Sequence, residues 1–430
     1  MGGPAGPPPN APRPPQAPQA PITARRRNLG VTLGALPVAN VVLIEIGLAI
    51  GLILLAINDK LLYEAGGVFV LGLIFAFLRW RGRWFTQWVG LTLRYMFRSR
   101  KRVANPLPPT ADEQVGVDEA PVLGPDDPRV NLLRLVVPDL IVAHGTDHER
   151  RQVGLSWHQG AWTAVLLVDP APNLITPLGA TPSLPLGALA PCLEDRGVVL
   201  DAIQVIWHCY PGSAALATSS PALASYLEVL GPLPAAARRT TWVAVRLDPR
   251  RCPAAIAERG GGVVGSHRAL IGALSRVRSA LEARGVPTRP LDPDELLRAG
   301  VSAAELVSGM RSNNRVALNE SWSGVTAAGI GHATYSISRW PHGRNVNSIN
   351  ALTGVRALSA TVAMSVSPSG EDGQVGLRGL VRVSARTPSE LAEANQRLSG
   401  MAQRLNVSLT PLRGLQVSGL AATLPLGGAA

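Results

Sequence analysis

The stretch that decides how this chain is organised runs from residue 38 to residue 57 and reads VANVVLIEIGLAIGLILLAI. A second apolar stretch, LLYEAGGVFVLGLIFAFL at residues 61 to 78, follows after Asn58-Asp59-Lys60. A helix needs about 20 apolar residues to cross a hydrocarbon core of about 30 Å. The two stretches therefore predict an N-terminal two-helix transmembrane hairpin, with spans at about 38–57 and 61–78.

The first stretch contains one charged residue, Glu45. Thirteen of its 20 residues are Leu, Ile or Val. Together they favour insertion by about 6 kcal/mol, whereas a mid-helix acid costs about 3 kcal/mol. Intramembrane acids commonly pair across helices or line a polar pathway. We therefore expect Glu45 to contact a membrane helix of a partner subunit; the alternatives are protonation or access of water through a thinned bilayer.

Basic residues flank both ends of the predicted hairpin. Residues 25–27 are all Arg, and eight basic residues lie between positions 79 and 102. Because positive residues stay on the cytoplasmic side, both termini of this multi-pass protein are expected in the cytoplasm, with the hairpin in the inner (plasma) membrane. We define a juxtamembrane collar, suited to anionic lipid headgroups, as Arg79, Arg81, Arg83, Trp84, Trp88, Arg94 and Arg98. The alternative is that these arginines only fix the topology.

Composition narrows the class of protein. The net charge is +12, but eight positive charges belong to the juxtamembrane segment, so charge alone gives no reason to expect nucleic-acid binding. Only two lysines occur, beside abundant Arg, Ala, Gly and Pro, a usage typical of GC-rich genomes such as those of actinobacteria. Three widely spaced cysteines argue against a disulfide framework or a structural zinc site and favour buried, reduced thiols.

The chain divides into four segments. Residues 1–24 are a Pro-rich tail expected to be disordered. Residues 25–102 hold the hairpin and a basic amphipathic exit helix, which is either interfacial or a continuation of the second span. Residues 103–128 contain six prolines and six acids and predict a linker. Residues 129–430 are long enough for a cytosolic α/β domain.

The cytosolic segment alternates strand and helix signals. Its opening, Asn131 to His144, reads as β-rich, and His158-Gln159-Gly160 predicts a hairpin turn. A helix is predicted from Ser266 to Arg284, and capping sequences begin two more at Asp292 and Thr387. Further strands are predicted at 198–208 and 241–247, with a second β-rich stretch at 317–384. The fold class is α/β, with an α+β mixed sheet covered by helices on one face; no internal repeat is visible.

One segment suggests ligand chemistry. Gly260 to Gly265 fits the pattern G-x-G-x-x-G and opens a helix, where backbone donors could hold a phosphate. However, a predicted helix at about 253–258 separates it from the preceding strand, and no acid lies about 20 residues downstream at the end of a second strand. Ser266-His267 stand where a P-loop has its cation. A turn with an N-cap is therefore favoured over a nucleotide site.

Other reactive residues form no recognisable site. His144 and His148 flank a turn, which argues against a zinc hydrolase motif. His208 and Cys209 are neighbours on a predicted strand, so their side chains point to opposite faces. Nothing indicates that Asp147 and Glu149, or Asp169 and Asp201, form carboxylate pairs. We therefore predict no catalytic residue, cofactor or metal, and we expect the tryptophans of the cytosolic segment to be mainly core, namely Trp157, Trp162, Trp207, Trp242, Trp322 and Trp340.

Several of these segments resemble one family. The sequence RRTTWVAVRLDP at 238–249, the helix from Ser266, Gly285-Val286 and Glu320-Ser321-Trp322 are similar to EccE, a membrane component of the actinobacterial type VII (ESX) secretion machinery. The N-terminal hairpin with its basic exit is similar too, so the resemblance covers roughly Arg25 to Trp340.

The resemblance implies a structural role and no enzyme activity. EccE-like proteins lie at the periphery of an inner-membrane complex with EccB, EccC and EccD, in which the EccC ATPase drives the export of Esx and PE/PPE substrates. The expected partners are therefore EccB-, EccC- and EccD-like subunits and anionic membrane lipids, and no nucleic acid. Two other hypotheses are a membrane-anchored enzyme for a nucleotide or lipid-linked substrate, with its phosphate site at Gly260 to Gly265, and an envelope adaptor that recruits proteins to anionic lipid.

Overall fold

A computed structural model describes residues 32–33, 36–58, 62–80, 83–104, 127–169, 184–210, 238–310, 315–341, 343–368 and 375–427. The predicted tail, 1–24, and most of the predicted linker lie outside the described residues. The α-helices are α1 Val38–Ile57, α2 Leu62–Phe77, α3 Phe85–Phe97, α4 Pro128–Val136, α5 Pro253–Ala257, α6 Gly262–Glu282, α7 Pro293–Ala303, α8 Val307–Met310, α9 Pro388–Arg404 and α10 Gln416–Ala421.

The strands include three two-residue pairs outside the main sheet. All the strands are β1 Thr32–Leu33, β2 Leu36–Pro37, β3 Arg79–Trp80, β4 Arg83–Trp84, β5 Lys101–Ala104, β6 Ile141–Thr146, β7 Gln152–His158, β8 Ala161–Val168, β9 Glu194–Asp195, β10 Val198–Val199, β11 Ala202–Tyr210, β12 Arg238–Leu247, β13 Thr288–Pro290, β14 Val316–Glu320, β15 Val325–Ala327, β16 Ile330–Arg339, β17 Ser359–Pro368, β18 Val375–Ala385 and β19 Ser408–Pro411.

Helices α1 and α2 lie antiparallel and approach closely through small residues. The Cβ that an alanine would add at Gly47 would lie 3.6 Å from the Cα of Gly72, and one at Gly51 would lie 3.2 Å from the carbonyl oxygen of Ala65. Small residues of this kind let membrane helices approach. At the far end, the Asn40 side-chain amide donates to the Ala76 carbonyl oxygen at 2.7 Å. This seam buries little of either helix, so most of their apolar surface faces outward.

Only the first of these helices meets the length needed to cross a membrane. Helix α1 has 20 residues and is apolar enough to span the hydrocarbon core. Helix α2 has 16 residues, a length of about 24 Å. The second span of the predicted hairpin therefore stays a prediction.

The described residues after α3 are built on one 13-stranded sheet. The strands follow the order β5-β14-β15-β16-β18-β17-β11-β12-β8-β7-β6, with β13 added beside β8 and β19 beside β16. Every strand pair of the sheet in the described residues is antiparallel. The expected α/β composition is confirmed, but the expected mixed sheet is wrong, because the described strands pair only in the antiparallel direction.

The sheet consists of two halves with the same topology. In the first half, residues 141–303, three strands (β6, β7, β8) precede a pair (β11, β12), a long helix (α6), a short strand beside the third strand, and a shorter helix (α7). The second half, residues 316–421, repeats this order as β14 to β16, β17 and β18, α9, β19 and α10. Strands β11 and β17 meet antiparallel at the centre. The halves are therefore related by a pseudo-twofold axis through the sheet, a repeat that sequence inspection does not reveal.

Helices cover both faces of the sheet, so the prediction of one covered face is wrong. Helices α6 and α9 pack on one face through side chains such as Leu270, Leu274 and Leu398. On the other face lie α4, α7 and α10, with side chains such as Leu133 and Leu297 fully buried. A pseudo-twofold axis perpendicular to the sheet keeps equivalent helices on the same face, as observed.

Each half is completed by the end of the other. Arg382 on β18, which is fully buried, donates to the carbonyl oxygen of Ala303, the last residue of α7. Arg246 on β12 donates to the carbonyl oxygen of Gly427, in the C-terminal segment that follows α10. The two guanidinium groups therefore join the halves reciprocally.

Local signals located most element boundaries correctly. The hairpin turn at Gln159-Gly160 and the helix N-caps at Asp292 and Thr387 are confirmed, the last two with complete capping boxes. The long helix ends where predicted, before Gly285 with a φ of 75°. The β-rich reading of Asn131 to His144 is wrong in its first part, because Asp127 caps α4 and Pro128 occupies its first turn.

Candidate functional site at the membrane junction

The exit helix α3 is attached to the edge of the cytosolic sheet. The chain turns through β3 and β4 after α2, so α3 is a separate helix and not a continuation of the second apolar helix. Four residues after Phe97, the last residue of α3, the backbone enters β5 at Lys101, and β5 pairs with β14. Arg102 on β5 also donates to the Leu135 carbonyl oxygen of α4 at 2.9 Å. Part of the predicted linker is thus a strand of the sheet.

Aromatic side chains hold α3 against the turn between β14 and β15. The Trp322 ring lies 6.2 Å from the Trp88 ring and 5.1 Å from the Tyr95 ring, measured between centroids. Gly414 allows this ring to pack closely, since a Cβ at residue 414 would lie 2.7 Å from it. Trp322 is therefore an anchor for the exit helix, whereas Trp162, Trp207 and Trp242 are buried in the core as predicted.

A buried carboxylate reinforces the same junction. Glu320 at the end of β14 is 5% exposed, and its Oε1 accepts a hydrogen bond from the backbone N–H of Val417 at 3.0 Å. Its Oε2 lies 3.9 Å from the Arg98 guanidinium of the collar. The Tyr95 hydroxyl donates to the Glu320 carbonyl oxygen at 3.5 Å. Glu320-Ser321-Trp322, one of the motifs on which the family resemblance rests, thus forms the cytosolic side of the junction.

The collar residues take different positions. The Arg79 guanidinium carbon lies 4.7 Å from the centre of the Trp84 ring, within cation–π range. Arg94 is exposed on α3, and Arg98 is half-buried toward Glu320. Arg81 lies outside the described residues, and Arg83 belongs to β4. The described part of the collar therefore includes a solvent-facing arginine, Arg94, and two residues, Trp88 and Arg98, that face the cytosolic domain.

Glu45 lies on the outer surface of α1. Its side chain is exposed, whereas Gly47 and Gly51, which face α2, are buried. The acid therefore does not contribute to the seam between the two apolar helices. Any group that pairs with it within the membrane would have to approach from outside this helix pair.

The glycine-rich segment at 260–265 serves as a packed corner. Gly260, Gly261 and Gly262 all have positive φ, between 52° and 109°, and α5 rather than a strand precedes them. A Cβ at Gly265 would lie 2.3 Å from the Ile256 carbonyl oxygen, so glycine permits the contact between α5 and α6. His267 is buried with its ring 4.3 Å from that of Trp162, and burial lowers its pKa to about 4. This geometry explains the segment without a nucleotide.

The other candidate residues are engaged elsewhere. Asp201 bonds Arg246 at 3.0 Å and Arg251 at 3.3 Å, whereas Asp169 lies 3.7 Å from Arg289, so the two acids do not pair. The acids in the turn after β6 also have separate partners. Asp147 accepts a hydrogen bond from the backbone N–H of Arg151, whereas the Glu149 carboxylate forms ion pairs with Arg151 and Arg278. The His148 side chain is exposed. The three cysteines are buried thiols, namely Cys192, Cys209 and Cys252. Across the described ranges, no group of three or more His, Cys, Asp or Glu side chains could hold a metal ion.

A buried polar network at the centre of the sheet was missed by sequence reasoning. Arg382 Nη2 donates to Thr361 Oγ1 at 3.0 Å, and His208 Nδ1 lies 2.8 Å from the same hydroxyl. His208 Nε2 is 3.9 Å from Glu305, and the Tyr210 hydroxyl donates to the Ser302 carbonyl oxygen at 2.8 Å. The hydrogen-bonded partners lie from 21 to 153 positions apart along the chain, so no local pattern connects them.

Burial shifts the ionisation of this network. Burial lowers the pKa of Arg382 to about 10 and raises the pKa of Glu305, while Arg382 partly offsets the latter shift. The pKa of His332 nearby is held well below its usual value by burial and by Arg382. The network joins strands of both halves to the end of α7, and its role in the described structure is to hold them in register.

Comparisons with known proteins find similar sequences in one family. Residues 235–337, from β12 into β16, match the family model of EccE, a type VII ESX secretion system translocon. The ESX-5 secretion system protein EccE5 of Mycobacterium marinum is 28% identical over 276 residues, which are 59% of this chain and 64% of the relative. The ESX-1 secretion system protein EccE1 of Mycobacterium tuberculosis is 27% identical over 227 residues, 50% of this chain and 40% of the relative.

A shorter match points the same way. The ESX-1 secretion system protein EccE1 of Mycolicibacterium smegmatis is 37% identical over 67 residues, 16% of this chain and 14% of the relative. The chain thus spans less than two thirds of the length of each of these relatives. The segment that matches the family model, residues 235–337, runs from β12 into β16 and includes the Glu320-Ser321-Trp322 motif of the junction. On these matches, the chain is similar to EccE proteins of type VII ESX secretion systems, with the family model matching residues 235–337.

Proposed function

We propose that this chain is a structural membrane subunit of a type VII ESX secretion complex. The match of residues 235–337 to the EccE family model carries the proposal. The junction supports it, because α3 and β5 connect the apolar helices to a large sheet through backbone pairing and aromatic contacts. Such a connection suits a subunit that fixes the position of a cytosolic domain beneath the membrane.

The proposed topology has two spans in the inner membrane and both ends in the cytoplasm. The outward apolar surface of α1 and α2 supports membrane insertion, since side chains such as Leu52 and Ile53 are more than half exposed. The 16 residues of α2 are short for a span, a mismatch that flanking residues and local thinning can accommodate. The basic residues on both sides of the hairpin support cytoplasmic termini, since positive residues stay on the cytoplasmic side.

Within this topology, we assign Glu45 to a contact with a membrane helix of another subunit. The supporting observation is its exposed position on α1, away from the seam with α2. A carboxylate facing lipid is costly, whereas one that meets a polar group of a neighbouring helix is not. Arg94 and Arg79 of the collar would meet anionic headgroups of the same membrane.

The proposed partners are EccB-, EccC- and EccD-like subunits, and the proposed role includes no catalysis. An envelope adaptor is less well supported, because the family match concerns a secretion component. The enzyme hypothesis is not favoured either, since the Gly260 to Gly265 segment is explained by packing of α5 on α6. Loss of the chain is expected to loosen the complex and to impair secretion.

The first experiment is an affinity purification of the tagged chain from its native membranes in mild detergent, followed by mass spectrometry of the high-mass fraction. Recovery of an FtsK/SpoIIIE-type ATPase together with a many-span membrane protein supports the proposal. A lone monomer or homodimer, obtained repeatedly, contradicts it.

The membrane contact is tested in the same purification with Glu45→Leu. This change improves the apolarity of α1, so insertion should be retained while partner recovery falls. The matched control is Glu64→Leu, which removes the exposed acid at the start of α2. Equal recovery of partner subunits with the two variants would show that Glu45 is not part of the interface.

A further inference from the structure

Helix α3 carries an exposed row of apolar side chains on the face that does not pack on the sheet. We call this row the apolar stripe; its members, 40% to 85% exposed, are Val89, Leu93, Met96 and Phe97. Their spacing places them on one side of the helix. The side that packs on Trp322 carries Trp88 and Tyr95 instead. A contiguous exposed apolar row indicates an interaction surface, whereas scattered single residues do not.

The start of α3 is fixed to the end of the helix pair at which α1 begins and α2 ends. The Phe85 ring stacks on Phe75 of α2, with their centroids 4.7 Å apart. The Thr86 hydroxyl donates to the side-chain oxygen of Asn40 on α1, and the amide group of the same fully buried Asn40 donates to Ala76 of α2. One asparagine therefore joins all three helices. The apolar stripe begins next to the point at which the proposed spans leave the hydrocarbon core.

Basic side chains border the apolar stripe. Arg94 is exposed and lies about 100° around the helix from Leu93. Arg100 and Lys101, directly after α3, are exposed too. The sequence from Phe85 to Lys101 contains no acid. Apolar residues on one face of a helix and cations beside them are typical of helices that lie in the interface of an anionic membrane.

The length of α3 and its contact with the sheet limit how the helix can meet lipid. Its 13 residues extend over about 20 Å, which is too short to cross the hydrocarbon core. Contacts with the sheet edge extend along the helix, from Trp88 at Trp322 to Arg98 at Glu320. A helix held in this way can reach lipid with the apolar stripe only if it lies along the membrane surface.

We propose that α3 lies along the cytoplasmic surface of an anionic bilayer, with the apolar stripe inserted among the lipid chains and Arg94 at the level of the phosphates. The occupant of the stripe is lipid, because the stripe begins beside the proposed spans and is bordered by cations. The inference rests on the proposed function for the membrane insertion of the hairpin. It adds that the edge of the sheet formed by β5 and β14 is held close to the membrane surface.

The test uses the purified full-length chain in vesicles of phosphatidylcholine and phosphatidylglycerol, with the fluorophore NBD attached to single introduced cysteines. The three native cysteines are buried, so the wild type measures the background of labelling. Leu93→Cys and Phe97→Cys report on the apolar stripe. Ile53→Cys reports on the outer surface of α1, and Ser399→Cys on an exposed position of α9. Lipids with a nitroxide on the acyl chain quench those probes that contact lipid.

We expect nitroxides near the headgroup to quench the probes at residues 93 and 97 by about half or more, since interfacial helices lie at that depth. The probe at residue 53 should be quenched most by nitroxides deep in the chain, and the probe at residue 399 by neither. Deep quenching at 53 while 93 and 97 behave like 399 would overturn the inference and leave the proposed topology standing. Absence of quenching at 53 would overturn both.

The emission of the same probes distinguishes lipid from a protein partner. A blue-shifted emission at residues 93 and 97 without quenching by lipid nitroxides would mean that a second copy of the chain covers the apolar stripe. That outcome would also overturn the inference.

A charged residue in the apolar stripe provides an independent test. Leu93→Asp should lower the quenching of the probe at residue 97 by about half, because it opposes insertion of the stripe. The protein should keep its unfolding temperature in detergent, since Leu93 is exposed. Thr92→Asp is the matched control, at an exposed position of the same helix outside the stripe. Equal quenching at residue 97 in the two variants would contradict insertion.

Discussion

The two halves of the sheet share one topology but differ in what they present to their surroundings. The second half meets the membrane segment, because β14 pairs with β5 and Trp322 packs on α3. The first half instead has the longer helix, α6, which packs against the 3-10 segment Ala190–Leu193. Of two halves with the same topology, the second is thus the one attached to the membrane segment.

The reciprocal arginines are the sharpest test of this comparison. Arg382→Ala should lower the free energy of unfolding by about 3–5 kcal/mol, because it leaves buried polar groups such as Glu305 without their cation. Arg246→Ala should cost about 2 kcal/mol, since its partner Asp201 is 24% exposed and can be rehydrated. The measurement is urea unfolding of the full chain in detergent.

The control for both arginines is Arg397→Ala. Arg397 lies exposed on α9 and pairs with Glu393 one turn away, so its loss should change stability by less than about 0.5 kcal/mol. If Arg382→Ala cost no more than this control, the halves would not depend on the reciprocal contacts.

The attachment surface of the second half is tested with Trp322→Ala. We expect a loss of about 2–3 kcal/mol in stability, since the variant empties the space between Trp88, Tyr95 and Gly414. Amide hydrogen exchange in β5 and β14 should accelerate more than exchange in β6 and β7. Phe97→Ala, at an 85% exposed residue of α3, is the control. Uniform acceleration across the sheet would contradict a local anchor.

Protonation of His267, in the first half, should make the stability of the protein sensitive to acid. The folded pKa of His267, about 4, is below its unfolded value, so protonation favours the unfolded chain. The stability this neutral ring contributes is complete above pH 6.5 and is lost as the pH falls toward 4, by about 2 kcal/mol with allowance for solvent at the ring edge. His267→Gln should flatten the unfolding profile in that window. His332 remains in both proteins, so an unchanged difference would exclude His267 as a source of acid sensitivity.

The smallest effects come from two glycines on α6. Gly265→Ala should cost about 1–2 kcal/mol, because the new methyl group collides with the Ile256 carbonyl oxygen. Gly272→Ala should instead raise stability by about 0.5–1 kcal/mol, since the site has space and alanine favours the helix. Thermal unfolding of the two variants should therefore move in opposite directions. Shifts of the same sign would show that the corner between α5 and α6 tolerates a side chain.

Local chemistry allowed much of the fold to be predicted. The caps at Asp292 and Thr387 and the turn at Gln159-Gly160 depend on neighbouring residues, and the structure has them where the sequence indicates. The cap at Asp127 carries an equally local signal, but it stands in a Pro-rich acidic stretch that reads as a linker. The helix that precedes Gly260 to Gly265, where a dinucleotide-binding fingerprint has a strand, was also predicted from local sequence.

The features that depend on distant residues were not predictable in this way. Arg382 reads as one polar residue in a strand, and nothing near it indicates that Ala303 will accept its hydrogen bond. Trp322 resembles the core tryptophans in sequence, although it packs on a helix more than 200 positions earlier. Arg276 reads in sequence as a solvated helical arginine, although its Nε and Nη2 are buried and its Nη1 lies 3.4 Å from Asp195 Oδ2. Antiparallel order and the repeated topology emerge from such long-range pairings.

Because α3 is followed closely by β5, a rotation of α3 would displace the distant strands of the sheet more than the near ones. Ten strand spacings of about 4.8 Å separate β5 from β6, so the far edge lies roughly 48 Å from the attachment. A tilt of α3 by about 5° would then move β6 by about 4 Å, which is close to the spacing between two neighbouring strands. A small change in the angle of the exit helix would therefore produce a larger displacement at the opposite edge of the sheet.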